Sequence, residues 1–377
     1  MKYRLFGKTQ RSLSVFSLGT MRYLSSEENA VATVQQAVAL GINHLETARG
    51  YGKSEQFLGA ALQSGLPLTR AQLCITTKLP PTSDAVQMES WIDESLKRLK
   101  IDYLDCLAIH GLNTWEHLTW VQAADGCMQA IERAVADGRV RHVGFSTHGS
   151  LELILAAITT DLFAFVNLHY TYFFQRHAAA IELAHQKNMG VLIISPADKG
   201  GLLYTPPPTL SELCAPLSPL ELNYRFLLSD RRITTLSLGA ANPAELLQPL
   251  QVADLSDPLT LAEQQILERL QAHQAATLTT DLCSQCYACL PCPEDIHIPE
   301  VLRLRNLAIA YDMTQFAQYR YRMFENAGHW FPGKRADRCT ECGDCLPRCP
   351  NTLNIPRLLK ETHTRLKGIE RRRLWDN

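Results

Sequence analysis

The chain has almost no charge bias: 37 lysines and arginines stand against 38 aspartates and glutamates, a formal net charge of -1. Nucleic acids and anionic membrane surfaces select for a basic excess, so neither is expected as a partner. No apolar run approaches the roughly 18 residues of a membrane span. Met1-Lys2-Tyr3-Arg4 leads into a polar turn, not into the apolar stretch of a secretory leader. A cytoplasmic location is expected. Disulfides are not: of 12 cysteines, eight crowd into two short runs while Cys74, Cys106, Cys127 and Cys214 are scattered. In a reducing compartment such crowding signals metal. The scattered four read as small buried apolar residues, with Cys74 and Cys106 in strands.

What is present suffices for a large core. A chain of 377 residues, 46% of them hydrophobic, has room for an α/β barrel of about 250 residues and one small domain. From Val15 to about Leu250, short β-branched or apolar runs alternate with amphipathic helical stretches, which indicates repeated βα units around a parallel sheet. Eight strands are predicted, at Phe16–Gly19, Ile42–Glu46, Leu73–Lys78, Tyr103–His110, His142–Phe145, Phe165–Leu168, Val191–Ile194 and Thr235–Leu238. Eight units favour a closed (β/α)8 TIM barrel over a doubly wound sheet. Ahead of them, Arg4–Ser14 turns at Gly7-Lys8-Thr9-Gln10 and is expected to form a hairpin closing the bottom of the barrel. The expected domains are a barrel at 1–255, a linker helix at 256–274 running to about His273, and a small, mainly helical domain at 275–377. The capping box Thr260-Leu261-Ala262-Glu263 opens the linker helix.

The last stretch holds both cysteine runs. Cys339-x2-Cys342-x2-Cys345-x3-Cys349-Pro350 has the spacing of bacterial ferredoxins, in which three close cysteines wrap one [4Fe–4S] cube and the fourth reaches a second cube. Cys283-x2-Cys286-x2-Cys289-x2-Cys292-Pro293 is one residue shorter before its last cysteine. The assignment is therefore crossed: one cluster on Cys283, Cys286, Cys289 and Cys349, the other on Cys339, Cys342, Cys345 and Cys292. Zinc is the competing reading, since paired CxxC motifs can make tetrahedral sites; three cysteines plus a Cys-Pro in each run fit a cluster better than a zinc knuckle. An internal repeat supports one pseudo-twofold unit. Ile296, Ile298, Pro299, Val301 and Leu302 follow the first Cys-Pro as Leu353, Ile355, Pro356, Leu358 and Leu359 follow the second. Pro299 and Pro356 suit the first position of a helix. The aromatic group Phe316, Tyr319, Tyr321 and Phe324 is expected to be a packing face, and Arg371-Arg372-Arg373 a solvated tail. The whole resembles a helical two-cluster ferredoxin.

In a barrel enzyme the chemistry sits at the carboxyl ends of the strands. Glu46, Lys78 and His110 close three predicted strands, with Tyr51 in the loop after Glu46. Around them the chain carries Glu46-Thr47-Ala48-Arg49-Gly50-Tyr51-Gly52-Lys53-Ser54-Glu55, Ser95-Leu96-Lys97-Arg98-Leu99 with Asp102-Tyr103-Leu104-Asp105, and Gly138-Arg139-Val140-Arg141-His142-Val143-Gly144-Phe145-Ser146. Tyr3-Arg4-Leu5-Phe6-Gly7-Lys8-Thr9 adds to these. Through these runs the sequence resembles the aldo/keto reductase family over roughly residues 1–250. The resemblance implies that Tyr51 is a general acid protonating a carbonyl oxygen while a nicotinamide delivers hydride, that Lys78 lowers its pKa, and that His110 orients the carbonyl. Glu46 stands where the family has an aspartate. The resemblance further implies nicotinamide contacts at Ser146, Thr147 and Asn167, where the family has a Ser-Asn pair and a glutamine; Ile194 replaces a stacking aromatic. Gly239, Ala240, Ala241, Asn242 and Pro243 match the family's phosphate-side loop, but Glu245 and Pro249 replace its polar Gln and Asn, and no Lys or Arg follows to grip a 2′-phosphate.

Two functions follow. One is an iron–sulfur oxidoreductase acting on a carbonyl-type small molecule with NADP(H) or NAD(H), its two [4Fe–4S] clusters carrying electrons to or from a redox partner protein. The other is an electron-transfer or redox-sensing protein with a repurposed barrel that no longer uses nicotinamide.

Overall fold

In the computed structural model, which describes residues 1–255 and 257–368, the alternation of apolar runs and amphipathic segments closes into a barrel. A hairpin, β1 (Tyr3–Leu5) and β2 (Ser12–Ser14), precedes eight barrel strands: β3 (Phe16–Gly19), β4 (His44–Glu46), β5 (Cys74–Leu79), β6 (Leu104–His110), β7 (Val140–Ser146), β8 (Phe165–Leu168), β9 (Gly190–Ile193) and β10 (Thr235–Leu238). All neighbours run parallel, and β10 pairs with both β3 and β9, which completes the ring. Strands covered on both faces need side chains that tolerate burial throughout, and β3, β5, β8, β9 and β10 are buried along their whole length. This is the eight-stranded parallel barrel read from the sequence.

The hairpin closes the amino-terminal mouth of the ring. Gly7 bridges to Met189 and the Lys8 N–H donates to the Asn188 carbonyl oxygen at 2.7 Å, just ahead of β9. Arg11 donates to the Leu73 carbonyl oxygen at 2.8 Å, just ahead of β5. Phe6, fully buried, packs with Cys74, Cys106, Phe165 and Leu192. Gly190 makes room for it, because a Cβ there would overlap the Phe6 ring. The scattered cysteines Cys74, Cys106, Cys127 and Cys214 are all buried and free.

By compactness the chain divides into two units, 1–200 with 223–258 and 201–222 with 259–377. In the second unit, the Thr260 capping box is formed and its helix, Leu261–Leu278, runs one turn beyond the expected end at His273. That helix packs on Ile298–Ala310: the Tyr311 hydroxyl donates to the Leu270 carbonyl oxygen at 2.9 Å, and the His273 ring lies 2.9 Å from the Ala310 carbonyl oxygen.

The sequence repeat is also a backbone repeat. Gln285 and Glu341 take φ of 59° and 57°, Tyr287 and Gly343 take 63° and 84°, and Asp295 and Thr352 take 55° and 50°. The paired helices Ile298–Ala310 and Ile355–Leu366 are capped in the same way, by the His297 and Asn354 side chains. Each begins one residue before its proline, so Pro299 and Pro356 occupy the second helical position and not the first. Of the expected aromatic face, Phe316, Tyr321 and Phe324 are buried, whereas Tyr319 is 36% exposed and turns away from the packing. Arg371-Arg372-Arg373 lie outside the described residues. Among those described, no helix is long and apolar enough to cross a membrane.

Candidate active site and candidate cluster site

Parallel closure brings the carboxyl ends of the strands to one rim. Glu46 ends β4, Lys78 lies next to last in β5, and His110 ends β6. Tyr51 follows β4 in a turn in which its N–H donates to the Ala48 carbonyl oxygen at 3.0 Å. The four side chains converge. Glu46 and Lys78 form an ion pair, 3% and 1% exposed. Lys78 also donates to the Thr47 carbonyl oxygen at 2.8 Å, and its Nζ lies 5.0 Å from the centre of the Tyr51 ring. Tyr51 meets His110 edge-on, ring centres 5.5 Å apart.

Sequence reasoning missed the residue that anchors Glu46. Ser237, on β10, donates to Glu46 Oε2 at 3.0 Å. Gly19 keeps that path open, since a Cβ on it would stand 2.5 Å from Ser237 Oγ. Glu46 thus reaches Lys78 with one oxygen and Ser237 with the other. A small polar residue in the last barrel strand was the available signal.

Burial pushes the Tyr51 phenol up; the Lys78 ammonium pulls it back by charge and hydrogen bonding, Glu46 adds to the rise, and the net direction is upward. The lowering expected from Lys78 is therefore one contribution, and burial outweighs it. Burial likewise opposes the Lys78 ammonium, but Glu46 and Tyr51 prevail and hold it above its ordinary value. His110 is pushed down to about 3 by burial and by the Lys78 and Lys199 ammoniums. Near neutrality the site therefore holds a protonated phenol, a charged lysine and a neutral imidazole.

The six residues matched to nucleotide contacts divide. Asn167, fully buried on β8, has no hydrogen-bond partner among the described residues for either its amide nitrogen or its amide oxygen. A donor and an acceptor side by side fit a carboxamide, so a nicotinamide suits this position. Ser146 accepts the Gly111 N–H at 3.1 Å. Thr147 is fully buried and committed to its own loop, donating to the Leu112 carbonyl oxygen at 2.7 Å and accepting the Gly149 N–H at 2.9 Å. Asn242 caps the short turn Pro243–Leu246, accepting from Ala244 and Glu245. Ala240 is buried, and the Gly239 carbonyl oxygen accepts from Arg22 at 2.7 Å.

Arg22 is the second residue missed. It supplies the cation that does not follow Asn242 in sequence, and Glu245 takes it at 2.9 Å while also accepting the Ala241 N–H at 3.1 Å. An arginine three residues past the end of β3 was its signal.

Across the two runs the clustered cysteines are neighbours. Cys283 has Cys286 and Cys349 beside it, and Cys289 has Cys283 and Cys286, with Cys345 a weaker neighbour. Cys339 has Cys292 and Cys342, and Cys345 has Cys339, Cys342 and Cys292. Burial, followed by these neighbours, pushes Cys289 up to about 12. A positive iron core would offset that mutual repulsion, so the donor set fits the group. Cys292, Cys339, Cys342 and Cys345 line a hollow. Among the described residues no three His, Cys, Asp or Glu side chains converge on a point as a single ion requires.

Comparison with known proteins agrees with this geometry. The profile of the aldo/keto reductase family matches residues 16–271, and that of a 4Fe-4S dicluster domain matches 282–355. An uncharacterized oxidoreductase of Bacillus subtilis, YqkF, is 23% identical over 72% of this chain and 96% of its own length. L-galactose dehydrogenase of Arabidopsis thaliana is 27% identical over 55% of this chain and 69% of its own, and methylglyoxal reductase DkgB of Salmonella typhimurium 31% over 40% and 54%. Among solved structures, the holo form of an aldo-keto reductase from Bacillus halodurans shares the fold, with a TM-score of 0.62 and 23% identity over 71% of this chain and 96% of that one. The barrel, its rim and the family profile lead to one conclusion: the chain belongs to the aldo/keto reductase family, as an oxidoreductase with a 4Fe-4S dicluster domain.

Proposed function

We propose that the protein oxidises or reduces a carbonyl-type small molecule, with Tyr51 as proton donor, NAD(H) as hydride partner and two [4Fe–4S] clusters carrying electrons. One observation carries the reading: a phenol kept protonated by burial, set against a buried Lys78–Glu46 pair and edge-on to His110. In the reducing direction Tyr51 gives its proton to the oxygen, the Lys78 ammonium stabilises the phenolate left behind, and Glu46 with Ser237 holds Lys78 in place. Neutral His110 can hold the carbonyl oxygen without adding charge. A bound nicotinamide would supply or accept hydride, two electrons together, while each cluster would exchange one. Asn167 supports the nicotinamide, and Glu245 on Arg22 supports NAD(H) over NADP(H), since a 2′-phosphate would have to displace a carboxylate. The named activities of the plant and Salmonella relatives support a small polar carbonyl or hydroxyl compound as substrate.

The commitment of Thr147 and Asn242 to local turns favours the second reading, an electron-transfer or redox-sensing protein without nicotinamide. Titrating the anaerobically purified protein with NADH and NADPH separates the two. The first reading expects NADH to bind, and Tyr51→Phe to bind it equally while turning over about 10²–10⁴-fold more slowly. Binding of neither nucleotide, or full turnover by Tyr51→Phe, would remove it.

A further inference from the structure

The pseudo-twofold repeat aligns Gln285 with Glu341, each two residues after the first cysteine of its run and each in the left-handed backbone region. The side chains at this position differ between the halves. The Gln285 side-chain amide donates to Cys283 Sγ at 3.3 Å and to the Pro299 carbonyl oxygen at 2.9 Å. The bond to Pro299 fixes the amide, leaving its other N–H for the sulfur. Glu341 has a carboxylate in its place, which has no N–H to donate and brings negative charge near Cys339.

Hydrogen bonds to ligand sulfurs and local charge are two of the levers that set cluster potentials. A thiolate that accepts a hydrogen bond puts less electron density on iron, so an added electron is better tolerated. A nearby carboxylate does the opposite. We propose that Gln285 and Glu341 split the potentials of the two clusters, so that the cluster on Cys283, Cys286, Cys289 and Cys349 is reduced before the one on Cys339, Cys342, Cys345 and Cys292. This rests on the two clusters of the proposed function and on the crossed ligand assignment expected from the sequence. Each cluster gains and returns a single electron, with no bond made or broken, and an electron arriving on the Glu341 side runs downhill to the Gln285 side. Neither residue ligates iron; both are positioning residues.

The test is an anaerobic potentiometric titration of the full-length holoprotein, followed by electron paramagnetic resonance, with iron and sulfide measured in every sample. The wild type is expected to show two one-electron waves. Gln285→Leu should shift the reduction equilibrium of the higher-potential wave about tenfold toward the oxidised form, about 59 mV, and leave the lower wave in place. Glu341→Gln, close to isosteric, should raise the lower wave and leave the higher one. If Gln285→Leu loses iron, the isosteric Gln285→Glu and Glu341→Gln decide. With clusters intact, a single wave, unmoved waves, or Gln285 variants moving the lower wave would overturn the inference. Wild-type iron and sulfide short of two cubes would instead overturn the ligand assignment, and the inference with it.

Discussion

Replacing Glu46 with glutamine tests how the barrel tolerates a buried ammonium. Glu46→Gln keeps an oxygen for Ser237 but removes the charge that faces Lys78, leaving that side chain, 1% exposed, with the Thr47 carbonyl oxygen and Tyr51 as polar neighbours. Breaking a buried ion pair by removing one partner costs roughly 3–5 kcal/mol. Glu46 is what lifts Lys78 above its ordinary value against burial, so without it burial lowers the lysine instead. A lysine depressed in the folded state destabilises most at low pH, where it must stay charged. The penalty shrinks by about 1.4 kcal/mol per unit as pH rises above the new folded value and vanishes near the unfolded value of about 10.4. Anaerobic urea unfolding at pH 6.5 and pH 9, followed by tryptophan fluorescence and referred to wild type at each pH, measures both effects. The double variant Glu46→Gln/Lys78→Met should recover most of the loss, because no unpaired charge remains. A single variant within about 1 kcal/mol of wild type at pH 6.5 would refute the reasoning, as would a penalty that grows toward pH 9.

Glu245→Gln frees Arg22 for a phosphate and should move the NADPH-to-NADH ratio of dissociation constants about tenfold toward NADPH in fluorescence titrations; an unchanged ratio would show that the pair has no part in selecting the nucleotide. Asn167→Leu removes a buried amide with no partner among the described residues, so the nucleotide-free protein should gain about 1–3 kcal/mol and lose the rise in melting temperature that NADH confers. A retained NADH-dependent rise would exclude Asn167 from the site. His44, held between Ser17 Oγ and Thr76 Oγ1 at 2.7 Å each, is pushed down to about 3 by burial and then by Lys78 and Arg11. The unfolded chain binds that proton near pH 6.5, so stability is lost as pH falls from there toward about 3, by about 1.4 kcal/mol per unit for this one group. His44→Asn should flatten the acid limb by that amount in urea unfolding, and an equal slope would count against a neutral His44.

Strand positions were legible where turns bound the apolar runs. Phe16–Gly19, Phe165–Leu168 and Thr235–Leu238 fall as predicted, to the residue. The strand expected from Ile42 begins at His44, because the Asn43 side chain is taken by the hairpin: it accepts the Ser14 N–H at 2.8 Å and donates to the Ser12 carbonyl oxygen at 2.8 Å. Glu46, Lys78 and His110 could be placed on one rim because strand ends in a parallel barrel face one way. Ser237 and Arg22 could not, since each finds its partner only when β10 closes against β3, across 191 and 223 residues of sequence respectively. The net rise at Tyr51 was hidden for a related reason: a motif gives the neighbouring charges, but only packing gives the desolvation. The likeness of the two cysteine runs was open to sequence reasoning because the same turn, with Gln285 and Glu341 both at positive φ, recurs in each half.

The hairpin has a consequence for how the chain assembles. Lys8 bonds to the Asn188 carbonyl oxygen and Phe6 requires the gap at Gly190, so the hairpin cannot be seated until the β9 segment has emerged from the ribosome. Contacts so distant in sequence are slow to form. Until then Phe6 and the open end of β5 stay available to other chains. The amino-terminal plug is thus a late closing step, and burst-phase hydrogen exchange should find β1 and β2 among the last elements protected.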